Sequence, residues 1–203
     1  MAVKRLLLLA SIALLAAGCG EAQTPRRVAD AAPKQCPAKA LRGWKELSRK
    51  IEAPVYCPTY MPDPLDGVIG SRWNNIDATS RDRSYLESWV WQETGLGAAG
   101  GELHVNLRGY PGRTSIPKCV DADTPKRTLI PCFADPRGTV RANGITATVY
   151  TVNQDADQWH ILYAWRHGGS LYTVSEHVAP PLNYAKVRVV LKRILRGLVL
   201  VRA

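Results

Sequence analysis

Four histidines are the residues in this chain best suited to chemistry near neutral pH: His104, His160, His167 and His177. An imidazole can carry a proton or ligate a metal. Alternation along two strand-like runs puts His104 and His160 on polar faces, opposite Leu103 and Trp159. The two rings would meet if those strands were neighbours. A zinc site needs a further ligand, and none stands at a fixed spacing, so the four are expected as solvated strand residues. Ser170 follows Gly168 and Gly169, but a nucleophile elbow needs a glycine after the serine as well. The carboxylate pairs Asp121–Asp123 and Asp155–Asp157 would suit the start of a calcium loop, yet the glycine at position six and glutamate at position twelve are missing. The sequence therefore predicts no catalytic, cofactor or metal residues, and no enzyme.

Cysteine chemistry is more specific. Lys4 and Arg5 lead into an apolar run from Leu6 to Ala17, which ends at Gly18-Cys19. A basic start, a greasy middle too short to span a bilayer and small residues before a cut make a signal peptide. Ala16-Ala17-Gly18-Cys19, preceded by Leu14 and Leu15, resembles the lipobox of bacterial lipoproteins, with Ala16 where Leu is commonest. In that reading residues 1–18 are removed and Cys19 carries the lipid, because a thiolate is the side-chain nucleophile able to take a diacylglyceryl group as a thioether. Several acyl chains on one residue give stable anchoring. The expected address is the extracytoplasmic face of a cell membrane, held by lipid. Four cysteines remain: Cys36, Cys57, Cys119 and Cys132. They allow three pairings; the sequence-local one, Cys36–Cys57 with Cys119–Cys132, is preferred. Their spacing does not suit a zinc cage.

Residues 19–35 are rich in Ala, Pro, Gln and charge, and read as the lipidated cysteine and a flexible tether. Residues 36–203 are the right size for one domain. Net charge is +10, and removal of Lys4 and Arg5 leaves +8. Such a surface suits anionic neighbours. The exported setting points to the membrane, an anionic envelope polymer or another envelope protein as partner, not nucleic acid. Trp89 and Trp91 share a strand face, as do Trp159 and Trp165, which would also suit glycan stacking or simple cross-strand pairing.

Positioning these groups falls to a predictable set of elements. A helix is expected over Pro37 to Glu52, with an apolar stripe of Leu41, Trp44, Leu47, Ser48 and Ile51. Val55 to Pro64 carries prolines at 58, 62 and 64 and reads as an extended connection, not a central strand. Strands are expected over Val68–Asn74, Tyr85–Glu93, Glu102–Arg108, Gly138–Ala142, Ile145–Asn153, Gln158–His167 and Ser170–Val178. Asn143-Gly144 is a strong hairpin signal. A basic helix capped by Asn183 runs to about Val201. The fold class is α+β: an antiparallel meander sheet of about six to seven strands, with an N-terminal and a C-terminal helix packed on it.

The order of helix, Ala53-Pro-Val-Tyr-Cys-Pro-Thr-Tyr-Met-Pro62, strands, Ala142-Asn-Gly-Ile145 turn, Trp/Tyr hairpin around Leu162-Tyr-Ala-Trp165 and Leu171-Tyr-Thr-Val174, and final helix resembles a known family. It is an uncharacterised domain found outside the membrane in bacterial cell-surface lipoproteins and in proteins linked to anti-sigma factors. The resemblance implies an extracytoplasmic setting and supplies no catalytic residues. The disulfides lie outside its general pattern.

The function expected is that of a membrane-anchored, non-enzymatic lipoprotein with a binding, sensing or envelope-maintenance role. The alternative is a module that binds anionic wall polymer or glycan through basic surface and Trp. A hydrolase-type enzyme comes third. The candidate binding element is the stretch from Gly109 to Pro136, with Asp121, Asp123, Lys126 and Arg127 inside the Cys119–Cys132 loop. As a surface loop it should be removable with little change in melting temperature.

Overall fold

The stripe centred on Trp44, Ser48 and Ile51 is the buried side of a helix, α1, spanning Ala38–Ile51. It ends where Glu52 turns left-handed, at φ 54°, just before Ala53-Pro54. A computed structural model describes residues 35–65, 75–92, 102–121, 127–152, 157, 159–180 and 182–203, all within the compact unit Pro33–Ala203. Next along the chain come β1 (Val55–Pro58), β2 (Asn75–Thr79), β3 (Tyr85–Gln92) and β4 (Glu102–Tyr110). Then follow a small hairpin, β5 (Lys118–Val120) and β6 (Leu129–Pro131), and the strands β7 (Thr139–Ala142), β8 (Ile145–Val152), β9 (His160–His167) and β10 (Ser170–His177). Helix α2 (Tyr184–Gly197) runs directly into β11 (Leu198–Val201).

Seven strands form one antiparallel sheet in the order β2-β3-β4-β10-β9-β8-β7. The fold is the expected α+β class. The meander comes in two runs, 2-3-4 and 7-8-9-10, joined where β10 pairs with β4. Two tight turns fix the second run. Asn143 and Gly144 have φ of 51° and 71°, and Gly168 and Gly169 have 54° and 75°. Positive φ at both central residues is what a type I′ hairpin turn requires.

Alternation gives the sheet two different faces. Leu103, Val105 and Leu107 of β4, Tyr172 and Val174 of β10, and Ile161, Tyr163 and Trp165 of β9 share the main core with Val187, Leu191, Ile194 and Leu195 of α2 and with Trp44 and Ile51 of α1. Asn183 caps α2 as expected, accepting from the Lys186 amide at 3.0 Å. The helix stops at Gly197, not near Val201. Its last segment becomes β11, which pairs with β1 in a separate two-stranded sheet. The apolar run Leu198–Val201 does not distinguish a helix from a strand by itself; the partner Val55–Pro58 decides it. Pro58 fits there because it ends a strand of a two-stranded sheet.

The disulfides are Cys36–Cys57 and Cys119–Cys132, with Cα separations of 5.7 and 4.8 Å. The first ties the start of α1 to β1. The second closes the β5–β6 hairpin. They suit an oxidising, extracytoplasmic compartment, and no described helix is long and apolar enough to cross a membrane. Residues 1–34, including Cys19, and the expected strand Val68–Asn74 lie outside the described residues.

The stretch from Gly109 to Pro136 departs most from expectation. It contains β5 and β6, and it packs on the second face of the sheet. Phe133, 4% exposed, joins Val152, Leu162, Ala164 and Leu171 in a second core, with Cys132, Ile116, Tyr110 and Tyr150 against it. This segment is structural cover, not a removable surface loop, because Leu162, Ala164 and Leu171 would otherwise face water.

Candidate functional site

Beyond that second core, the same sheet face turns polar. Ser88 of β3, His104, Asn106 and Arg108 of β4, Ser175 and His177 of β10, and His160 of β9 lie on it by register. Asn106 pairs laterally with both Ser88 and Ser175, and His177 pairs with His160. Asp157, just ahead of β9, completes the group; it is 8% exposed.

Asp157 organises its neighbours. Its Oδ1 accepts from Asn106 Nδ2 at 3.0 Å and from the Ser175 hydroxyl at 2.5 Å. Its Oδ2 forms an ion pair with Arg108 Nε at 3.3 Å. With Asn106 oriented in this way, its Oδ1 accepts from Ser88 Oγ at 2.6 Å and from His104 Nε2 at 2.9 Å. Ser175, having given its proton to Asp157, accepts from His160 Nδ1 at 2.9 Å. One carboxylate thereby sets the tautomers of two histidines: His104 protonated at Nε2, His160 at Nδ1.

The expectation for His104 and His160 is corrected in an instructive way. Their strands are not neighbours, for β10 lies between them. The rings nonetheless approach to 4.8 Å between centroids, and His177 joins them at 5.4 Å from His160 and 6.4 Å from His104. His160 is buried, and its pKa is pushed down to about 2, first by burial, then by the neighbouring imidazoles and Arg108. Asp157 lies 3.6 Å from Nδ1, but the Ser175 hydroxyl stands between them as acceptor and leaves the ring neutral. His167 is elsewhere, edge-on to Tyr56.

Arg108 and Asp157 also line a pocket of about 210 Å³. Its other walls are Asp82 and Ser84 from the β2–β3 turn, Arg113, and Lys118, Cys119, Cys132 and Phe133 from the stapled segment. Asp82 is held below its usual carboxyl range by hydrogen bonds from the Ser84 hydroxyl and amide, with Arg113 at 3.4 Å adding to this.

The candidate binding residues fare unevenly. The segment that carries them walls the pocket, but through Lys118, Cys119 and Cys132 at the base of the hairpin. Asp121 and Arg127 sit farther out, where the Asp121 amide bonds the Thr128 carbonyl at 2.8 Å. Asp123 and Lys126 lie outside the described residues. Ser170 is buried and accepts from the Gly112 amide at 3.2 Å, a structural role. Asp157 faces inward. Sequence reasoning missed Ser88, Asn106, Arg108 and Ser175 as a group. Alternation already put His104, Asn106 and Arg108 on one face, and that was the available signal.

No protein-family model, curated protein or solved structure matches this chain. The reading of its function rests on the residues themselves.

Proposed function

We propose that this protein is a membrane-anchored extracytoplasmic lipoprotein, tethered through a lipidated Cys19, that binds a small anionic ligand without transforming it. The observation that carries the reading is the pocket between β4 and the stapled segment. Three cations, Arg108, Arg113 and Lys118, face two carboxylates, Asp82 and Asp157, which leaves one net positive charge. At about 210 Å³ it is smaller than the roughly 300–1,000 Å³ of drug-sized pockets, so it suits an inorganic anion or a small carboxylate or phosphate compound. The guanidinium of Arg113 supplies the fork that such groups pair with. The segment closing the pocket is held by a disulfide and a second core, so little ordering is needed on binding.

The two disulfides and the signal-like start support the address. The glycan-platform reading draws less support: Trp44, Trp89 and Trp165 are buried in the main core, and among the described tryptophans Trp159 alone is largely exposed.

Two experiments test the proposal. Replacing Cys19 with Ser should move the protein from membrane to soluble fractions; unchanged fractionation would overturn the lipid anchor. In nuclear magnetic resonance titrations with phosphate, sulfate, acetate and citrate, at least one anion should shift the amides around Gly112, Lys118 and Phe133, and Arg113→Ala with Lys118→Ala should abolish the shifts. Absence of any shift, or shifts that survive the double substitution, would overturn the pocket.

A further inference from the structure

Nearly all of the net charge sits on one layer of the fold. Helix α1 carries five basic residues and one acid, Glu46; α2 carries Lys186, Arg188, Lys192, Arg193 and Arg196 and no acid. That is +4 on one helix and +5 on the other, against +10 for the whole chain. Both helices pack on the same face of the seven-stranded sheet, through Trp44 and Ile51 of α1 and Val187, Leu191 and Ile194 of α2. Their basic sides are the sides turned away from it, and all but the half-buried Lys192 are exposed. Folding does not require this arrangement. Lys45 and Arg49 stand four residues apart, as do Arg188, Lys192 and Arg196, and like charges at that spacing repel. An anionic surface laid against the helices would relieve the repulsion.

The same layer exposes apolar side chains. Val189 is 70% exposed and Tyr184 41%. At helical spacings of three, four and seven, Val189 stands among Lys186, Arg193 and Arg196. Cations interleaved with exposed apolar groups suit a helix lying in a membrane interface, where headgroups take the charge and the acyl boundary takes the apolar side chain. A soluble polyanion would pair with the cations and leave Val189 in water. We propose that the outer sides of α1 and α2 form a docking surface for anionic phospholipid headgroups. The domain then rests on the bilayer by its helix layer. The pocket beside the stapled segment lies on the opposite face of the sheet and is turned to the aqueous side. Nearness to a bilayer rests on the Cys19 reading: at roughly 3.5 Å per residue, the chain from Cys19 to Cys36 holds the start of α1 within about 60 Å of the anchor. The pattern of charge and apolar groups stands without that reading.

The test places the full-length protein on nanodiscs of phosphatidylcholine alone or with an equal part of phosphatidylglycerol, each carrying a headgroup spin label. On the anionic discs, the amide resonances of Arg42 and Val189 should broaden while those of Gly112 and Phe133 stay sharp. On phosphatidylcholine alone neither set should be favoured. Raising the salt should reverse the broadening, since exposed charges are screened beyond about 10 Å at 0.1 M. Arg193→Gln with Arg196→Gln should lower the docked-to-free ratio by roughly 30-fold, about fivefold for each cation at an anionic surface, and Val189→Ser should lower it further. Thermal melts identify a variant that has lost its fold, and the salt dependence of the wild type needs no variant. Salt also separates the two attachments: a wash releases a protein held by the helices alone and leaves a lipid-anchored one in place. A protein that leaves phosphatidylcholine discs yet collects on the anionic ones has no anchor and keeps the face. The proposal is overturned if Arg42 and Val189 broaden equally on both kinds of disc, if broadening centres on Gly112 and Phe133, or if the double substitution docks as wild type does. Binding of soluble polyphosphate to α2 with no broadening on anionic discs would assign the face to a polymer and overturn the lipid.

Discussion

Glu176 gives the sharpest test of the fold, because the sheet buries a carboxyl where the helices pack. Tyr172, Val174 and Glu176 alternate onto the helix-covered face of β10, and the lateral neighbours of Glu176 are Val105 and Ile161. It has no exposed surface, and neither carboxyl oxygen has a hydrogen-bond partner among the described residues. Burial pushes its pKa from 4.5 up to about 8. The folded protein then holds a proton that the unfolded chain releases above pH 4.5. Stability from this group is fully present below pH 4.5, falls as pH rises, and levels off above about 8. At about 1.4 kcal/mol per pH unit the loss over that window is about 5 kcal/mol, a large share of the roughly 5–15 kcal/mol that holds most domains together. Glu176→Gln removes the titration and keeps the shape. Urea unfolding of both proteins, from pH 4.5 to 8, should show similar stability at the acid end and a gap that widens to about 5 kcal/mol in favour of the variant at the alkaline end. Comparing the two proteins cancels every other titrating group, including His160, whose lowered pKa works in the opposite sense and removes stability as pH falls below 6.5. A gap that stays constant across the range would refute the buried, unpaired carboxyl and with it the packing of this face.

Three further outcomes follow from the packing. Phe133→Ala should lower stability by about 3–5 kcal/mol in calorimetric melts, whereas a dispensable surface loop would leave the melting temperature unchanged. Gly109→Ala should destabilise by at least about 1–3 kcal/mol, because a Cβ there would meet the buried Tyr85 ring at 2.2 Å; wild-type stability in urea would show that the ring can move away. Replacing Cys119 and Cys132 together with Ser should remove roughly 3 kcal/mol, read by thermal unfolding, and non-reducing peptide maps of the wild type should recover only the Cys36–Cys57 and Cys119–Cys132 links.

Alternation made the two faces of β4 and β9 readable, since a period of two needs no partner to be seen. The same alternation placed Trp159 beside Ile161 and Tyr163, but Trp159 stands at φ 59°, before β9 begins, and is 63% exposed. A left-handed residue resets the pleat, and nothing in its side chain announces it. β2 and the small β5–β6 hairpin were not legible either. The three-residue strands β5 and β6 are below the length at which a period can be counted.

Local chemistry, in short range along the chain, was determined by sequence. The helix stripe of α1, the Asn183 cap, the Asn143-Gly144 and Gly168-Gly169 turns and the two local disulfides depend on residues within a few dozen positions of one another. Tertiary structure alone decided which strands touch. That β10 comes home between β4 and β9 depends on hydrogen bonds between segments more than sixty residues apart, and on two helices needing one common face to cover. Only that pairing gathers His104, His160 and His177, turns Asp157 inward beneath them, and leaves Glu176 without water on the opposite side.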